Sequence, residues 1–341
     1  MRILGIESSC DDLAICILET PKKILAHQVA SQHLHAQFGG IVPEVASREH
    51  LKTISSLFQS TLQSLEHAKK KMEGIGVTVK PGLIGSLLVG LNFAKGLALA
   101  ENIPFIGVSH LEGHLMSTFL EDEIPSLPFL GMVLSGGHTH LFEVCDIGER
   151  KLLGCSVDDA AGEAYDKVAK MLGLAYPGGP ILDQLAKQGN PKRFHFTPAQ
   201  VKKGELYTSF SGLKTAVLEV IQKNKWRDIF LRHAPEDFPE VLDLIASFQN
   251  TLVKSIERLF KRAHENFPKH PWVIAGGVAC NSAIRERLTQ AAEACGVKLF
   301  IPRPEFCTDN AAMIAYVGGQ YLERGISSAW DLNATSNDKQ I

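Results

Sequence analysis

The sequence predicts an α/β protein built from two similar halves. Short apolar stretches rich in Ile, Leu and Val alternate with longer segments of helical periodicity, and this alternation is typical of α/β folds. A strand–turn–strand pattern occurs at residues 2–18 and again at residues 129–144. Because the same hairpin pattern begins both halves of the chain, we expect an internal duplication.

The length and charge support a globular protein of two domains. The chain has 341 residues, 45% of them hydrophobic, and this length suggests two domains with a hydrophobic core each. Its 35 Lys and Arg nearly balance 37 Asp and Glu, giving a net charge of -2. That balance excludes a basic protein that coats nucleic acid over its whole surface, but it allows a local basic patch.

The first residues and the cysteines predict a cytoplasmic protein without a membrane partner. The start, MRILGIESSCDD, has the pattern of neither a signal peptide nor a transit peptide. The most apolar stretch, 83–100, is interrupted by Gly, Asn and Lys. Seven cysteines without a CxxC pair indicate reduced thiols rather than a disulfide framework.

In the first half, the pattern predicts the opening hairpin, two helices and a third strand. The turn of the hairpin, Ser8–Asp12, is polar and acidic, and a glycine-rich turn precedes the second helix. The predicted strands are 2–7, 14–18 and 74–79, and the predicted helices are about 48–70 and 86–101.

In the second half, the pattern predicts a second hairpin followed mainly by helices. Acidic residues and two prolines at Glu121–Pro128 interrupt the periodicity, which indicates a linker and hinge between the halves. The predicted helices are about 159–172, 211–225, 239–266, 281–294 and 308–324, with a strand at 272–275 and a polar, frayed tail after 331.

Four glycine-rich turns are candidate anion sites. A glycine turn before a helix exposes backbone N–H groups and the positive end of the helix dipole, which suits a phosphate. For any one of them, a tight turn without a ligand is the more frequent explanation. Neither a P-loop nor a GxGxxG pattern is present. The four turns are Pro81–Gly85, Ser135–Thr139, Tyr176–Pro180 and Ala275–Asn281.

His110 and His114 are a candidate metal pair. Four residues apart on a helix, the two imidazoles lie on one face, which suits a single ion. A zincin protease would place Glu directly after the first His; here that residue is Leu111, and Glu112 projects away from the metal face. Two histidines with a purely structural role are the alternative.

A third metal ligand must come from elsewhere in the chain. Asp309 is a candidate because it begins the pattern of the last helix. Two His and one carboxylate are typical of Fe(II), and Zn(II) binds similar ligands. His138 and His140 share one strand face and are the competing pair.

Two acidic clusters are further candidates. Glu7, Asp11 and Asp12 crowd the first hairpin, and such crowding is unfavourable unless the acids serve a site. A second cluster either forms an acidic helix stripe that accepts hydroxyl groups or is a solvated face. Lys214, near a helix start, is disfavoured by the dipole unless an anion offsets it. The second cluster comprises Asp158, Asp159, Glu163 and Asp166.

Together these motifs closely resemble the universal tRNA threonylcarbamoyladenosine synthesis family, and within it the bacterial TsaD branch. The resemblance covers nearly the whole chain. It implies an actin-like, sugar-kinase type (ASKHA) fold with two duplicated α/β domains around a nucleotide cleft, at 1–122 (completed by a helix at about 308–330) and 123–307, with a flexible tail at 331–341. The matching segments are GIESSCDD, GGIVPEVASREH, PGLIGSLLVG, SHLEGH, LSGGHTHL, DDAAGEAYDKVAK, YPGGP, SFSGLKTAV, AGGVACN and CTDNAAMIA.

The resemblance also implies an activity. A threonylcarbamoyl-adenylate donates its threonylcarbamoyl group to N6 of the adenosine next to the anticodon, position 37, in tRNAs that read codons beginning with A, and AMP is released. The implied partners are tRNA, an inactive paralogue (TsaB) that pairs through the N-terminal domain, and an ATPase (TsaE). An apolar surface between Ile54 and Leu65 is either that interface or core.

Site residues follow from the matching motif positions. His110, His114 and Asp309 are implied to hold one divalent ion per subunit, Fe²⁺ favoured and Zn²⁺ as the alternative, and Asp11 and Asp12 match the acidic pair near the reaction centre. Departures from the family pattern are Asp12 for a frequent Glu, Leu13, and Lys80. The residues implied to bind the adenylate are Val133, Leu134, Ser135, Gly136, Gly137, Asp166, Gly179, Asp183 and Asn281.

Three other classes compete with this activity. A metalloprotease lacks its general base here, and a sugar kinase or ATPase of the same fold gives the histidine pair no evident role. A non-catalytic tRNA-processing scaffold predicts that the histidines are dispensable for tRNA modification.

Overall fold

Two five-stranded sheets with the same strand order organise the chain. The structure, a computed structural model, describes residues 1–65, 71–226 and 237–338. They divide into two compact units, one formed by Met1–Ile124 and Pro302–Ile341 and the other by Pro125–Ile301. The end of the predicted first helix, 66–70, lies outside the described residues.

The first unit contains five strands and five helices among its described residues. Its N-terminal part is β1 (Arg2–Glu7), β2 (Asp12–Glu19), β3 (Lys23–Ser31), α1 (Pro43–Gln63), β4 (Gly74–Lys80), α2 (Ile84–Glu101), β5 (Phe105–Ser109) and α3 (His110–Met116). The C-terminal part of the chain supplies the other two helices of this unit.

The second unit has five strands and five helices within the part of the chain that is described. In chain order these are β6 (Phe129–Leu134), β7 (Thr139–Asp146), β8 (Glu149–Cys155), α4 (Ala161–Met171), α5 (Gly178–Ala186), α6 (Ser211–Lys223), α7 (Pro239–Asn266), β9 (Trp272–Ala275), α8 (Ser282–Ala294) and β10 (Leu299–Phe300). The chain then returns to the first unit with α9 (Pro304–Cys307) and α10 (Ala311–Glu323).

The strand order confirms the predicted duplication. The first sheet runs β3-β2-β1-β4-β5 and the second runs β8-β7-β6-β9-β10. In each sheet the first three strands are antiparallel, and the remaining two join in parallel. Both predicted hairpins are present, with Arg2 opposite Glu19 and Phe129 opposite Val144. This repeated α/β arrangement is the predicted ASKHA fold.

The sequence patterns missed the third strand of each hairpin. In β3, Lys23–Ser31, Ala26 is the one buried residue, and β8 is largely exposed. Both lie at sheet edges, where one face meets solvent and polar residues replace the apolar alternation that reveals a strand. Strand β5 and helix α5 were also missed.

Helix α2 is more apolar than its interruptions suggested. By length and composition it could cross a membrane, with a mean hydropathy of 1.3 over 18 residues. In the structure, however, Leu87, Leu91 and Ala94 pack into the core of the first unit. A single apolar helix of this kind is weak evidence for a membrane location, since core helices share its composition.

The C-terminal segment up to Asp338 does not behave as the predicted flexible tail. Leu332 packs against the core, and the Thr335 N–H donates to the carbonyl of Val79 over 2.9 Å. The side chain of Asp338 accepts a hydrogen bond from the Ser109 hydroxyl and lies 3.6 Å from the Lys80 ammonium. The polar composition of the segment suggested fraying, but these contacts attach the segment to the edge strand β5 and to the neighbouring strand β4. The rest of the predicted tail, 339–341, lies outside the described residues.

The apolar residues between Ile54 and Leu65 are mostly core. Ile54 is 3% exposed, and Phe58 packs edge-on against Phe93 of α2, with ring centroids 5.5 Å apart. Leu62 is the more exposed member of this stretch, at 37%.

We expect Gly276→Ala to destabilise the second unit. Gly276 has φ +93°, and a Cβ there would lie 2.4 Å from the Leu134 carbonyl oxygen. Strain and overlap together predict a loss of about 2–4 kcal/mol in the free energy of unfolding, measured by denaturant titration. The matched variant is Gly212→Ala, at a helical position where a Cβ meets nothing within 4 Å. Equal stability of the two variants would contradict the prediction.

Candidate functional site

The first unit brings the predicted metal ligands together. Strand β5 ends at Ser109 and α3 begins at the next residue, so that His110 and His114 lie one helical turn apart with ring centroids separated by 4.5 Å. Asp309 lies just before α10, whose first turn is capped by the Asn310 side chain accepting from Met313 N–H. The ligand atoms of the three residues lie within 4.8 Å of one another.

The spacing and the donor types fit a divalent ion. The Oδ1 atom of Asp309 is 3.2 Å from His114 Nε2 and 3.6 Å from His110 Nε2. Ligands about 2.0–2.1 Å from a tetrahedral ion are separated by about 3.4 Å, so little movement is needed. Two imidazoles and one carboxylate are a donor set typical of Fe(II) and also suit Zn(II).

A buried carboxylate orients one of the histidines. Glu7, fully buried at the end of β1, places Oε2 3.1 Å from His110 Nδ1, and Ser9 Oγ lies at the same distance from that nitrogen. Glu7 also accepts from the Thr78 hydroxyl and from the Ser9 N–H. Because Nδ1 of His110 is engaged, Nε2 is directed to the ligand position, as in other carboxylate–histidine–metal arrangements.

The charges at this site favour a cation. Burial lowers the pKa of His110, but the negative charges of Glu7 and Asp309 outweigh it and raise that pKa to about 9. Burial, followed by the positive charge of His110, lowers the pKa of His114. Without an ion, a proton on His110 therefore offsets one of the two carboxylate charges and leaves the site negative, which favours a cation; metal binding would displace that proton.

Asp11 and Asp12 lie in the same unit, Asp11 in the turn between β1 and β2 and Asp12 at the first position of β2. The Cys10 carbonyl in this turn accepts from His50 Nε2 of α1 over 2.9 Å, which fixes the turn against the helix. Burial is the main cause that raises the pKa of Asp11. Burial, opposed by a hydrogen bond from Ser31 and supported by neighbouring carboxylates, raises the pKa of Asp12 to about 7.

The structure supports the argument against a zincin protease. Glu112 is 4% exposed, and its carboxylate accepts a hydrogen bond from the Tyr321 hydroxyl on α10 over 2.9 Å. Because this hydrogen bond directs the carboxylate towards α10, Glu112 is not placed to act as a general base beside the histidines.

Among the described residues, the competing pair does not join a metal cluster. The rings of His138 and His140 are 5.3 Å apart, but no third ligand brings them into a group that would hold an ion within the described ranges. The pair therefore ranks below His110 and His114, as the sequence predicted.

In the second unit, the Ser135–Thr139 turn links β6 to β7. The Ser135 hydroxyl accepts from the His138 N–H over 3.1 Å. Gly136 and Gly137 are exposed, and a Cβ on either meets nothing within 4 Å. Val133 and Leu134 are fully buried in β6, so neither side chain is available to a ligand. If this turn binds an anion, it does so through backbone groups.

Asp166 connects α4 to the YPGGP turn. Its Oδ1 accepts from the Gly178 N–H over 2.8 Å, at the start of α5. Gly179, next along the helix, has open space around it, since a Cβ there would lie 4.0 Å from the nearest side-chain atom. The carboxylate thus fixes the glycine turn while leaving the helix start accessible.

Asp183 and Asn281 belong to one buried hydrogen-bond network. Asp183 accepts from Gln249 Nε2 and from both the N–H and the hydroxyl of Ser282. Asn281 donates to Tyr165 Oη and Gln249 Oε1, while its own oxygen accepts from the Ile284 N–H and caps α8. The network holds α5, α7 and α8 in a fixed relation beside the glycine turns.

Two residues of the second acidic cluster, Asp158 and Asp159, make structural contacts. Asp158 accepts from the N–H groups of Phe210 and Ser211 at the start of α6. Asp159 pairs with Lys167 at 2.7 Å and with Lys214 at 2.6 Å. Asp159 lies before α4 and not within it, so the predicted acidic stripe along one helix is wrong. Its carboxylate is the anion that offsets the charge of Lys214.

Several residues of these sites were not identified from sequence. Glu7 was noted as one of three crowded acids, but its place beside His110 depends on the parallel pairing of β1 with β4 and of β4 with β5. Tyr165 and Gln249 carry no motif signal of their own, because a core position on a helix explains either residue equally well.

Comparison with known proteins identifies the family. A family model described as tRNA N6-adenosine threonylcarbamoyltransferase, TsaD, matches residues 23–316. The chain belongs to the TsaD family. A tRNA N6-adenosine threonylcarbamoyltransferase from Syntrophotalea carbinolica is 42% identical over 99% of this chain and 96% of its own length. One of the same name from Geobacter metallireducens is 45% identical over the same shares.

Solved structures with low identity share the fold alone. HypF from T. kodakarensis has a TM-score of 0.65 at 14% identity, covering 95% of this chain and 48% of that one. The activator of 2-hydroxyisocaproyl-CoA dehydratase from Clostridium difficile, with bound ADPNP, has a TM-score of 0.53 at 15% identity, covering 96% and 99%. As a TsaD family member, the chain is a transferase that modifies tRNA.

We expect His114→Ala and Asp309→Ala to abolish stoichiometric binding of a divalent ion. Each change removes one of three ligands, and two ligands hold such an ion weakly. Metal content per chain is measured by elemental analysis after dialysis of protein loaded with Fe²⁺ or Zn²⁺ under anaerobic conditions.

The matched variant for this experiment is His138→Ala, from the competing pair. It is expected to keep the metal content of the unmodified protein. Loss of metal from His138→Ala with retention in His114→Ala would place the ion at the other pair.

Proposed function

We propose that this chain transfers a threonylcarbamoyl group from threonylcarbamoyl-adenylate to N6 of adenosine 37 in tRNAs that read codons beginning with A. The amine nitrogen attacks the carbamoyl carbon, the new C–N bond forms, the C–O bond to phosphate breaks, and AMP leaves. One proton is lost from the amine. The observation that carries this proposal is the identity of 42–45% to transferases of this name over nearly the full chain.

We assign the adenylate to the glycine turns of the second unit. The backbone at Gly136 and Gly137 is open to a ligand, and at the N-terminus of α5 the Gly179 N–H is suited to a phosphate, since the Gly178 N–H donates to Asp166. Asp183 retains acceptor capacity beyond its three hydrogen bonds, which suits a ribose hydroxyl. Asn281 acts through position, because its amide hydrogens are already donated within the network.

The metal and the acids belong to the first unit. One divalent ion per subunit, with Fe²⁺ favoured over Zn²⁺, would be held by His110, His114 and Asp309 and would supply Lewis-acid polarisation of a carbamoyl or phosphate oxygen. Asp11 or Asp12 accepts the amine proton. The raised pKa of Asp12, about 7, suits a general base near neutral pH, although Asp is shorter than the Glu common in the family.

The remaining partners are part of the same proposal. The paralogue TsaB binds the N-terminal unit, where Leu51 is 69% and Leu62 37% exposed on α1. TsaE supplies ATPase activity, and the protein works in the cytoplasm.

Reconstitution tests the proposed reaction. Unmodified tRNA is incubated with threonine, bicarbonate, ATP and the partner proteins, with and without this chain, and its nucleosides are measured by mass spectrometry. We expect threonylcarbamoyladenosine only with the chain present. With isolated adenylate, removal of the base by Asp12→Asn should reduce the rate about 10²–10⁴-fold.

Asp122→Asn is the control, because Asp122 is an exposed acid of the same unit. Full activity of both Asp11→Asn and Asp12→Asn would exclude the proposed base. Absence of the modified nucleoside with the unmodified chain and active partners would exclude the proposed function.

Gly136→Ala should separate adenylate binding from stability. The new methyl group meets no protein atom within 4 Å, so the melting temperature should be unchanged. It occupies the space proposed for the ligand, and overpacking of this kind costs about 1–3 kcal/mol, or about 10–100-fold in affinity. Affinity for a non-hydrolysable adenylate analogue is measured by calorimetry, with Gly212→Ala as control. Unchanged affinity would move the adenylate away from this turn.

A further inference from the structure

One segment of the second unit concentrates positive charge in an otherwise balanced chain. Residues 187–204, which we call the basic strap, lie between α5 and α6 without regular secondary structure. The strap has five cations and no carboxylate, whereas the whole chain has a net charge of -2. The cations are Lys187, Lys192, Arg193, Lys202 and Lys203.

Hydrogen bonds to α7 hold the strap in a defined path. The Asn190 N–H donates to Asp243 Oδ1 over 2.6 Å, and the Phe194 N–H donates to Ser247 Oγ over 3.1 Å. Further along, Arg258 Nη2 donates to the Ala199 carbonyl over 2.5 Å.

The α7 residues that make these contacts recur at helical spacing, at positions 243, 247 and 258, so one face of α7 supports the strap. Gly189 allows its close approach, since a Cβ there would lie 2.0 Å from the Leu242 carbonyl oxygen. A loop with so many backbone contacts loses little conformational entropy when it binds a ligand.

The five cations lie at the surface of the strap, where the Lys203 ammonium also lies 4.8 Å from the centroid of the Tyr207 ring and the Lys187 ammonium donates to Gln184 Oε1. All are exposed, and none takes part in an ion pair with a carboxylate of the described residues. Neighbouring like charges, such as Lys192 with Arg193 and Lys202 with Lys203, repel one another, and a polyanion relieves that repulsion. Phe194 and Phe196 lie between the two pairs, half-buried and stacked with centroids 6.4 Å apart.

We propose that the basic strap binds the phosphate backbone of tRNA. Several cations spread along an ordered segment match a row of phosphates better than a single small anion, and exposed Lys and Arg supply the sequence-independent part of nucleic-acid affinity. The identification of the bound polyanion as tRNA rests on the proposed function, whereas the charge pattern of the strap is independent of that function. The overall charge of -2 then reflects a protein that meets RNA through one basic surface.

Charge-removing variants of the full chain test this surface. Lys192→Gln/Arg193→Gln and Lys202→Gln/Lys203→Gln each remove two cations. The control, Lys151→Gln/Lys223→Gln, removes two exposed lysines of the same unit that lie outside the strap. Binding of a fluorescent tRNA that reads a codon beginning with A is followed by anisotropy at several KCl concentrations, and melting temperatures verify folding.

We expect each strap variant to bind tRNA about ten-fold more weakly at 0.15 M salt. The slope of log affinity against log salt should fall by about 1.4–1.8, because each of the two lost phosphate contacts contributes about 0.7–0.9. The control should match the unmodified chain. The proposal is overturned if the strap variants keep the tRNA affinity and the salt slope of the unmodified chain, or if the control loses as much tRNA affinity as they do. This holds even if an acidic protein is found to bind the strap.

The outcome is separable from that of the proposed function. If the unmodified chain forms no threonylcarbamoyladenosine but binds tRNA through the strap, the reaction is wrong and the surface is right. If the modified nucleoside forms and strap variants bind tRNA normally, the reaction is right and the surface is wrong.

Discussion

The carboxylate of Glu7 is the constraint on which the first unit depends. It is fully buried, and a buried charge is tolerated only when it is paired and hydrogen-bonded. Its partners come from three places in the chain: Ser9 in the first turn, Thr78 on β4, and His110 after β5. One interaction therefore ties the hairpin to the two parallel strands and orients a candidate metal ligand at the same time.

The position of Asp309 depends on a different constraint, the close packing of α10 on the sheet. A Cβ on Gly5 would lie 2.2 Å from the Ala311 carbonyl oxygen, so only glycine in β1 allows the helix to approach this far. Asp309 precedes that contact by two residues, and the Asn310 cap fixes the helix start between them. The backbone packing of α10 on the sheet thus positions the third candidate ligand.

Sequence patterns predicted the features that are local in the chain. The helical spacing of His110 and His114 and the α7 bounds at Pro239 and Asn266 follow from periodicity within one segment. Edge strands were missed because half their residues face solvent. The role of Glu7 was not predictable from spacing, because its partners are about 70 and 100 residues away in the chain and meet it only through strand pairing. Asp309 was proposed as the third ligand because it lies at a helix start, and the family resemblance implied the same role.

The second unit shows why a motif residue need not be a ligand. Asn281 donates both amide hydrogens and caps α8, and Asp183 holds three donors from α7 and α8. A buried polar network of this kind is unfavourable unless every member is satisfied, so losing one residue disturbs all the others. In the proposed function, Asn281 therefore acts through the rigidity of the helices that carry the glycine turns, and Asp183 adds to that role its remaining acceptor capacity for a ribose hydroxyl. In that proposal, backbone N–H groups contact the adenylate phosphate. A substitution at Asn281 or Asp183 leaves these N–H groups in the chain, but it is expected to shift their positions.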